Sequence, residues 1–418
     1  MLVFFINAIK IIFLLGLLVF IHEGGHFIVA KLCNVKVNEF ALGFGPTIWK
    51  KQGKETKYAL RLIPLGGFVS MEGEDSSSTD ERSFGKASIP KRIAIVAAGA
   101  TVNIIFGLSI YFILMASIGP TTTNIVENLV EGYSAQEIGI KENDKIIKIN
   151  NKKVRNKEDI NEILNLSNGE DVKVLIERDG EKIEYIFKPT EVKYKEVGIY
   201  LKDESSTEIA AIEPQSPAQN QGLEANDIIL YVEGNDVRND AKKVINIINE
   251  DEDGKLEFII ERNGVEKAIL IDAIEKPVYF LGVNLKKADK NFLNCISYGA
   301  NKTIEFSFSI IQNIKRLFTG KVETNQLMGP VGISSIVSKT EGIKDYIYIL
   351  ALISLSLGVT NILPFPPLDG GKIVLLIIEG VRRKSLPEKI EGYIQMAGFV
   401  LLITLSIYIT YNDVLRIF

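Results

Sequence analysis

The chain has 418 residues, 46% of them hydrophobic, and a net charge of −4, so it is long enough for several domains and carries no basic footprint for nucleic acid. Its two cysteines, Cys33 and Cys295, stand 262 positions apart, which excludes a disulfide framework and a cysteine-based zinc ribbon. The apolar residues are clustered: Ile11–Ile21, Ile93–Ile118, Tyr346–Leu363 and Val400–Ile409 are nearly charge-free runs approaching the roughly 20 residues that cross a bilayer. This pattern excludes a purely soluble protein and predicts four transmembrane helices with a water-soluble insert between the second and third.

In chain order, the first apolar run has only Lys10 near its start and no small-residue cleavage site after it, so it reads as a retained helix rather than a signal peptide. It continues into His22-Glu23-Gly24-Gly25-His26. Residues four apart share a helical face, so His22 and His26 can bind one metal ion while Glu23, one step round, reaches a water on it. Zinc suits two imidazoles, one carboxylate and an open fourth position. Three ionisable side chains in one turn of a membrane helix are costly unless paired or metal-bound, and these are the chain's only histidines. Gly24 and Gly25 are expected to leave room for a substrate strand.

The next segment alternates Tyr58, Leu60 and Leu62 against Lys57 and Arg61, with Gly53 as a turn, and predicts a membrane-associated β-hairpin. The hairpin around Tyr58–Val69, with Tyr58 and Leu60 among its substrate-binding residues, is expected to accept an unwound substrate as an added strand. Glu72–Ser83 is polar and reads as a loop. Residues 31–92 carry 11 Lys and Arg, the link at Arg382, Arg383, Lys384 and Lys389 carries four, and residues 119–135 carry none. The positive-inside bias then places these basic connections in the cytoplasm, with both termini and the insert outside it.

The insert repeats itself. Ala135, Gly139, Asn143, Asp144, Ile146, Val154 and Asn156 recur 83 residues later as Ala218, Gly222, Asn226, Asp227, Ile229, Val237 and Asn239. Each copy reads strand, short helix, polar turn, strand, helix and a hairpin turning at Asp179-Gly180 or Asn263-Gly264, an order that resembles circularly permuted PDZ domains. Such units either bind peptide C-termini or serve as spacers. Asn291–Thr319 has apolar residues at helical spacing with Lys302, Lys315 and Arg316 among them, which predicts an amphipathic helix on the outer lipid surface. Within the third apolar run, Asn361-Ile-Leu-Pro364-Phe-Pro366-Pro367-Leu368-Asp369-Gly370-Gly371 breaks the helix at membrane depth, which is tolerated where the freed backbone lines a cavity.

Together with Gly43-Phe44-Gly45-Pro46, Pro64-Leu65-Gly66-Gly67, Asn103 and Gly329-Pro330, these motifs resemble the site-2 protease family over essentially the whole chain, and within it the branch with tandem PDZ domains. The resemblance implies that His22, His26 and Asp369 ligate Zn2+, that Glu23 activates water, and that Asn361 with its Pro364 and Pro366 segment holds substrate; Asn103 belongs to the same substrate-contacting set. Elimination also reaches Asp369. Both histidines are used, Cys33 lies about 10 Å along the helix from His26, Cys295 lies outside the membrane, and Asp369 is the one carboxylate expected within a span. Ala100 and Lys372 depart from the family pattern.

The resulting expectation is a polytopic α-helical protein of the bacterial inner membrane with four transmembrane helices, a cytoplasmic β-hairpin and an inserted pair of α+β PDZ domains. The parts are a membrane core over 1–120, PDZ units over 121–203 and 204–288, an amphipathic connector over 289–345 and a second membrane core over 346–418. Its expected activity is that of an intramembrane zinc metalloendopeptidase cutting single-pass membrane proteins such as anti-sigma factors, with the active site near the cytoplasmic side. The competing reading is a PDZ-bearing scaffold or metal transporter, which has no specific need for Glu23 beside His22.

Overall fold

The structure is a computed structural model that describes residues 2–74, 78–203, 205–213, 216–318, 329–338, 340, 342–384 and 386–417. It divides into two compact units, one made of residues 1–119 with 290–418 and the other of residues 120–289.

The first unit opens with α1 (Leu2–Leu32), which runs unbroken through the His22–His26 motif. Two bent strands follow, β1 (Val37–Gln52) and β2 (Lys57–Met71). The turn between them closes with Gly53 N–H donating to the Thr56 carbonyl. Glu55 in this turn pairs with Lys31, at the end of α1, and with Arg82, and these two cations hold its carboxyl down at about 2. Because both strands bend, they form more than a simple hairpin. Phe40 lies opposite both Val69 and Tyr58, while Tyr58 also lies opposite Lys51, and Leu60 opposite both Leu42 and Trp49. Tyr58 and Leu60 are therefore interior, with neighbours on both sides. This corrects the expectation for Tyr58 and Leu60; at the other end of the Tyr58–Val69 stretch, among the described residues, Gly67–Met71 has a strand on one side only.

Then comes α2 (Ile89–Ile118), with Pro90 in its first turn, where a missing N–H costs nothing. A Cβ on Gly25 would stand 2.7 Å from the Ala98 carbonyl oxygen, so Gly25 is the notch through which α1 and α2 approach. The place a Gly25 side chain would take is filled by α2, whereas a Cβ on Gly24 would meet no atom within 4 Å, and both glycines line an apolar pocket.

The second unit is β-rich. In chain order it holds β3 (Thr122–Leu129), α3 (Ser134–Glu137), β4 (Lys145–Ile149), β5 (Lys152–Lys153), α4 (Lys157–Leu166), β6 (Val172–Arg178), β7 (Glu181–Phe187) and β8 (Thr190–Glu196). The pattern returns as β9 (Ile199–Leu201), β10 (Ile209–Ile212), α5 (Pro217–Asn220), β11 (Ile228–Val232), β12 (Asn235–Asp236), α6 (Ala241–Glu250), β13 (Lys255–Arg262), β14 (Val265–Asp272), β15 (Ile274–Phe280) and β16 (Val283–Lys287). Side-chain caps start the equivalent helices: Asn156 accepts from Asp159 N–H, and Asp240 from Lys243 N–H.

Strand pairing departs from sequence order. β16, at the end of the second repeat, pairs with β3, and Leu281, Val283 and Leu285 enter the apolar core of the first repeat. The backbone shows the equivalence: Ala135 N–H donates to the Leu281 carbonyl at 2.9 Å, and its counterpart Ala218 donates to the Val197 carbonyl at 2.9 Å. The second repeat is thus inserted within the first, and β8 and β15 pair along their length as the stem of the insertion. Each repeat carries the same clamp. Arg178 bonds both oxygens of Asp144 and the Gly139 carbonyl, and Arg262 does the same for Asp227 and Gly222.

Back in the first unit, α7 (Phe292–Phe318) covers the expected amphipathic segment, apart from Thr319, which with the connector residues 320–328, 339 and 341 lies outside the described residues. It packs on α2 with its Gly299 against Ala116 and its Phe306 ring stacked on Tyr111 at 4.4 Å, and it leaves Phe292, Leu293, Phe308 and Ile311 exposed. α8 (Pro330–Ser338) gives Gly329-Pro330 a structural role. Its first backbone donors, Gly329 N–H and Gly332 N–H, bond the buried carboxylate of Asp413 at 2.9 and 2.8 Å. Three helices complete the unit: α9 (Ile343–Ile362), α10 (Asp369–Arg382) and α11 (Glu388–Ile417), the last carrying Asp413. The proline segment ends α9 outright, so Asp369 opens a separate helix and does not sit within a span as expected. Among the described residues, Ile6–Leu32, Ile89–Ile118, Ile343–Ile362 and Lys389–Val414 are long and apolar enough to cross a membrane.

Candidate metal centre

Three elements bring the expected ligands together. α1 presents His22 and His26 one turn apart, their ring centroids 4.9 Å from each other. The first residue of α10 presents Asp369, whose Oδ2 lies 3.4 Å from His22 Nε2 and 3.5 Å from His26 Nε2. The two Nε2 atoms are 3.3 Å apart, and all three ligand atoms lie within 4.8 Å of one another. Asp369 Oδ2 is buried without a hydrogen-bond donor, an arrangement that costs on the order of 1–3 kcal/mol unless something else satisfies it. Two imidazole nitrogens and one carboxylate oxygen converging on a point are the donor set zinc takes when it keeps a fourth position open, so these residues fit the ion.

The backbone explains the convergence. His26 Nδ1 lies 2.8 Å from the Ile95 carbonyl, which fixes that nitrogen as the protonated one and leaves Nε2 with a lone pair for a metal. A Cβ on Gly99 would lie 2.3 Å from His26 Nε2, so only glycine lets α2 pass this ring. Gly370 and Gly371 sit against the backbone of Ile362, Leu363 and Phe365, and any side chain there would unfold the tight reversal that aims Asp369 at α1. On α11, a Cβ on Gly398 would stand 2.0 Å from the Pro366 carbonyl oxygen, so the break is clamped from behind.

The centre opens into a cavity of about 280 Å³ that Glu23 lines together with the three ligands. Gly67–Val69 and Met71 of β2 form one wall and Pro366–Leu368 another. A Cβ on Gly67 would stand 3.1 Å from Glu23 Cγ, so this edge of β2 runs directly beside the carboxylate. Asn361 Nδ2 lies 3.5 Å from His22 Nε2, within reach of a group held at the centre. Pro366 lines the cavity. Tyr58 lines a separate apolar pocket with Phe20, Phe27 and Phe40, and Asn103 is fully buried beside His22. Sequence reasoning missed Ile95, Gly99 and Glu74, none of which carries a local motif. Glu74 joins Lys372, one turn after Asp369, in a 2.6 Å ion pair on the cavity wall.

A helix-borne His-Glu-x-x-His set completed by an aspartate, within a four-span membrane unit, defines the class of membrane-embedded metallopeptidases. The sequence pattern of peptidase family M50 matches residues 10–405, and the chain belongs to that family, the site-2 type of intramembrane zinc metalloprotease acting in regulated intramembrane proteolysis; its cofactor is zinc. It is 29% identical to the regulator of sigma E protease of Haemophilus influenzae over 96% of this chain and 97% of that one. It is 27% identical to the regulator of sigma-E protease RseP of Escherichia coli over 100% of both. It is also 27% identical to the zinc metalloprotease RasP of Oceanobacillus iheyensis over 99% of both. Among solved structures, the PDZ domain of HtrA3 bound to a phage-derived ligand matches 21% of this chain and 94% of its own, at 16% identity and a TM-score of 0.20.

Proposed function

We propose that His22, His26 and Asp369 hold the zinc ion, that Glu23 moves the proton, and that the substrate is a membrane-spanning segment drawn out alongside Gly67–Met71. The observation that carries this reading is the meeting of three ligand atoms at Asp369 Oδ2, a buried oxygen with no donor of its own. Zinc supplies a Lewis acid that acidifies water and polarises the scissile carbonyl. Glu23, in the same cavity, accepts the water's proton and returns it to the leaving amine, because a departing amide nitrogen must be protonated to leave.

A helical substrate has its carbonyls paired, so it must be extended before attack. The unpaired edge of β2 offers backbone donors and acceptors to an added strand and passes beside Glu23. Asn361, whose Nδ2 lies 3.5 Å from His22 Nε2, is placed to hold the substrate backbone. The exposed apolar side chains at the far end of the β-sheet, Phe44, Ile48, Trp49 and Leu62, suit lipid contact. The excess of Lys and Arg in residues 31–92 and 382–389 supports a cytoplasmic location for the connections nearest the centre. Residues 120–289 then lie outside the cytoplasm as two PDZ units. In the second, a groove of about 570 Å³ between β9 and α6, with Gly198 at its head, suits an extended peptide end. By analogy with the relatives' names, the substrates are membrane-bound regulators such as anti-sigma factors.

The test is cleavage of a model transmembrane peptide by purified protein in detergent. Cleavage should stop on zinc chelation and return on adding one equivalent of zinc; cleavage that survives complete removal of metal contradicts the assignment.

A further inference from the structure

We infer that Asn103 is a positioning residue for the metal centre, its side-chain oxygen accepting the Nδ1 proton of His22 so that His22 Nε2 is free to ligate. The inference rests on the zinc-ligand assignment above. His26 is aligned from α2 by the Ile95 carbonyl and His22 meets the Gly99 backbone one turn further along, and a neutral imidazole that ligates through Nε2 carries on Nδ1 a proton that a side-chain acceptor can also hold. The side chain facing His22 Nδ1 is the Asn103 amide, whose Nδ2 stands 3.3 Å away. Two donors facing each other cannot bond. The amide's other end, Oδ1, is buried with no partner; turning the amide by 180° exchanges the Nδ2 contact for an acceptor at the Nδ1 proton and leaves the amide nitrogen, in place of the oxygen, without a partner.

The fold holds Asn103 for this role and withholds it from substrate. Asn103 is 0% exposed, which removes it from the substrate-contacting set in which the motif resemblance placed it. Its helix is pinned in rotation by α9. Ser354 Oγ donates to the Asn103 carbonyl at 2.8 Å, and Gly107 and Gly358 seat α2 against α9 on either side, Gly358 with a Cβ position 2.7 Å from the Ala100 carbonyl oxygen. α2 therefore serves both ligands at once, the Ile95 carbonyl holding His26 and the Asn103 amide holding His22, two turns further along.

Because the chain contains only two histidines, ring 15N NMR of the metal-free, histidine-labelled full-length protein resolves each tautomer directly. At a pH where both rings are neutral, His22 should carry its proton on Nδ1. Asn103→Leu should disturb the His22 signals and leave those of His26 unchanged, a difference that general loosening of the bundle would not produce. In chelator competition, Asn103→Leu should bind zinc about 10- to 100-fold more weakly, while Asn103→Asp, which keeps an acceptor, should bind no more weakly than wild type. Ser354→Ala, which alters the packing of Asn103 but not its side chain, should stay within about threefold. An Nε2 proton on His22 in the wild-type protein overturns the inference, as does wild-type zinc affinity in Asn103→Leu or equal weakening in Asn103→Leu and Ser354→Ala. Failure of the wild-type chain to bind zinc at all would instead overturn the ligand assignment.

Discussion

At the scale of single residues the centre depends on one carboxylate. Asp369 Oδ2 approaches both Nε2 atoms at 3.4 and 3.5 Å, and no other described carboxylate or thiol joins the cluster. Asp369→Asn should lower zinc affinity and peptide cleavage together, and Asp369→Ala should lower affinity further, by more than the roughly 100-fold that marks loss of an outer hydrogen bond. Cys33→Ala should change neither. Metal content after dialysis, measured beside cleavage, checks all three, and a fully loaded Asp369→Ala protein would remove Asp369 from the ligand set. His22, Glu23 and His26 are legible in the sequence because helical spacing alone puts them together, and Asp369 because few residue types can complete a zinc site. Gly99 and the Ile95 carbonyl were not legible. Their role comes from which side of α2 meets His26, a matter of interhelical packing about 70 residues from the motif.

At the scale of elements, alternation in β2 showed which residues form a strand but not which stretch of it lies at an edge. Tyr58 and Leu60 look available in sequence, yet the bend of β1 and β2 encloses them and leaves Gly67–Met71 open. If substrate adds there, a proline that removes an outward N–H should slow cleavage without loss of zinc. Successive strand residues direct their N–H groups to opposite sides, so of Phe68→Pro and Val69→Pro one should reduce cleavage at least tenfold with the fold intact. The other should disrupt pairing with β1. Normal cleavage by both would exclude addition at this edge.

The clamps of the second unit were half legible: the repeat exposed Asp144 and Asp227, while their arginine partners lie 34 and 35 positions away. Burial raises the Asp144 carboxyl, but the Arg178 guanidinium and the Lys141 N–H outweigh it and hold the group below the usual carboxylate range. A depressed folded-state pKa contributes stability that is complete above the unfolded value near 4 and is lost as pH falls through the folded one. Hydrogen-exchange protection of β4 and β6 in the intact chain should therefore be constant from neutral pH to about 5 and fall below about 4. Asp144→Asn should reduce it at neutral pH, by on the order of 1 kcal/mol, because it removes the charge from the hydrogen bonds that Arg178 donates. Unchanged protection in that variant would show the clamp to be dispensable.

At the scale of the whole molecule, the second unit begins and ends at one place: Ala288 N–H donates to the Thr121 carbonyl at 3.2 Å. Its removal leaves two chain ends that a short linker can join, so deleting residues 122–287 should preserve zinc binding and cleavage of a short transmembrane peptide. If the unit screens substrates, the same deletion should admit substrates that still carry large outer domains; a deletion variant that binds zinc but cuts no short peptide would give the unit a part in the reaction itself. The insertion of one repeat within the other was not legible, since sequence periodicity orders the copies but does not reveal that β16 returns to β3.

The central claim is a division of labour in which His22, His26 and Asp369 bind the metal and Glu23, lining the same cavity, moves the proton. Glu23→Gln separates the two tasks, keeping the size and hydrogen bonding of the side chain while removing its capacity to accept a proton. Bound zinc per chain and turnover of a transmembrane peptide, measured on one preparation, should show metal unchanged from wild type and turnover reduced by at least about 10²–10⁴-fold. Parallel loss of zinc and turnover would make Glu23 a ligand and contradict the assignment.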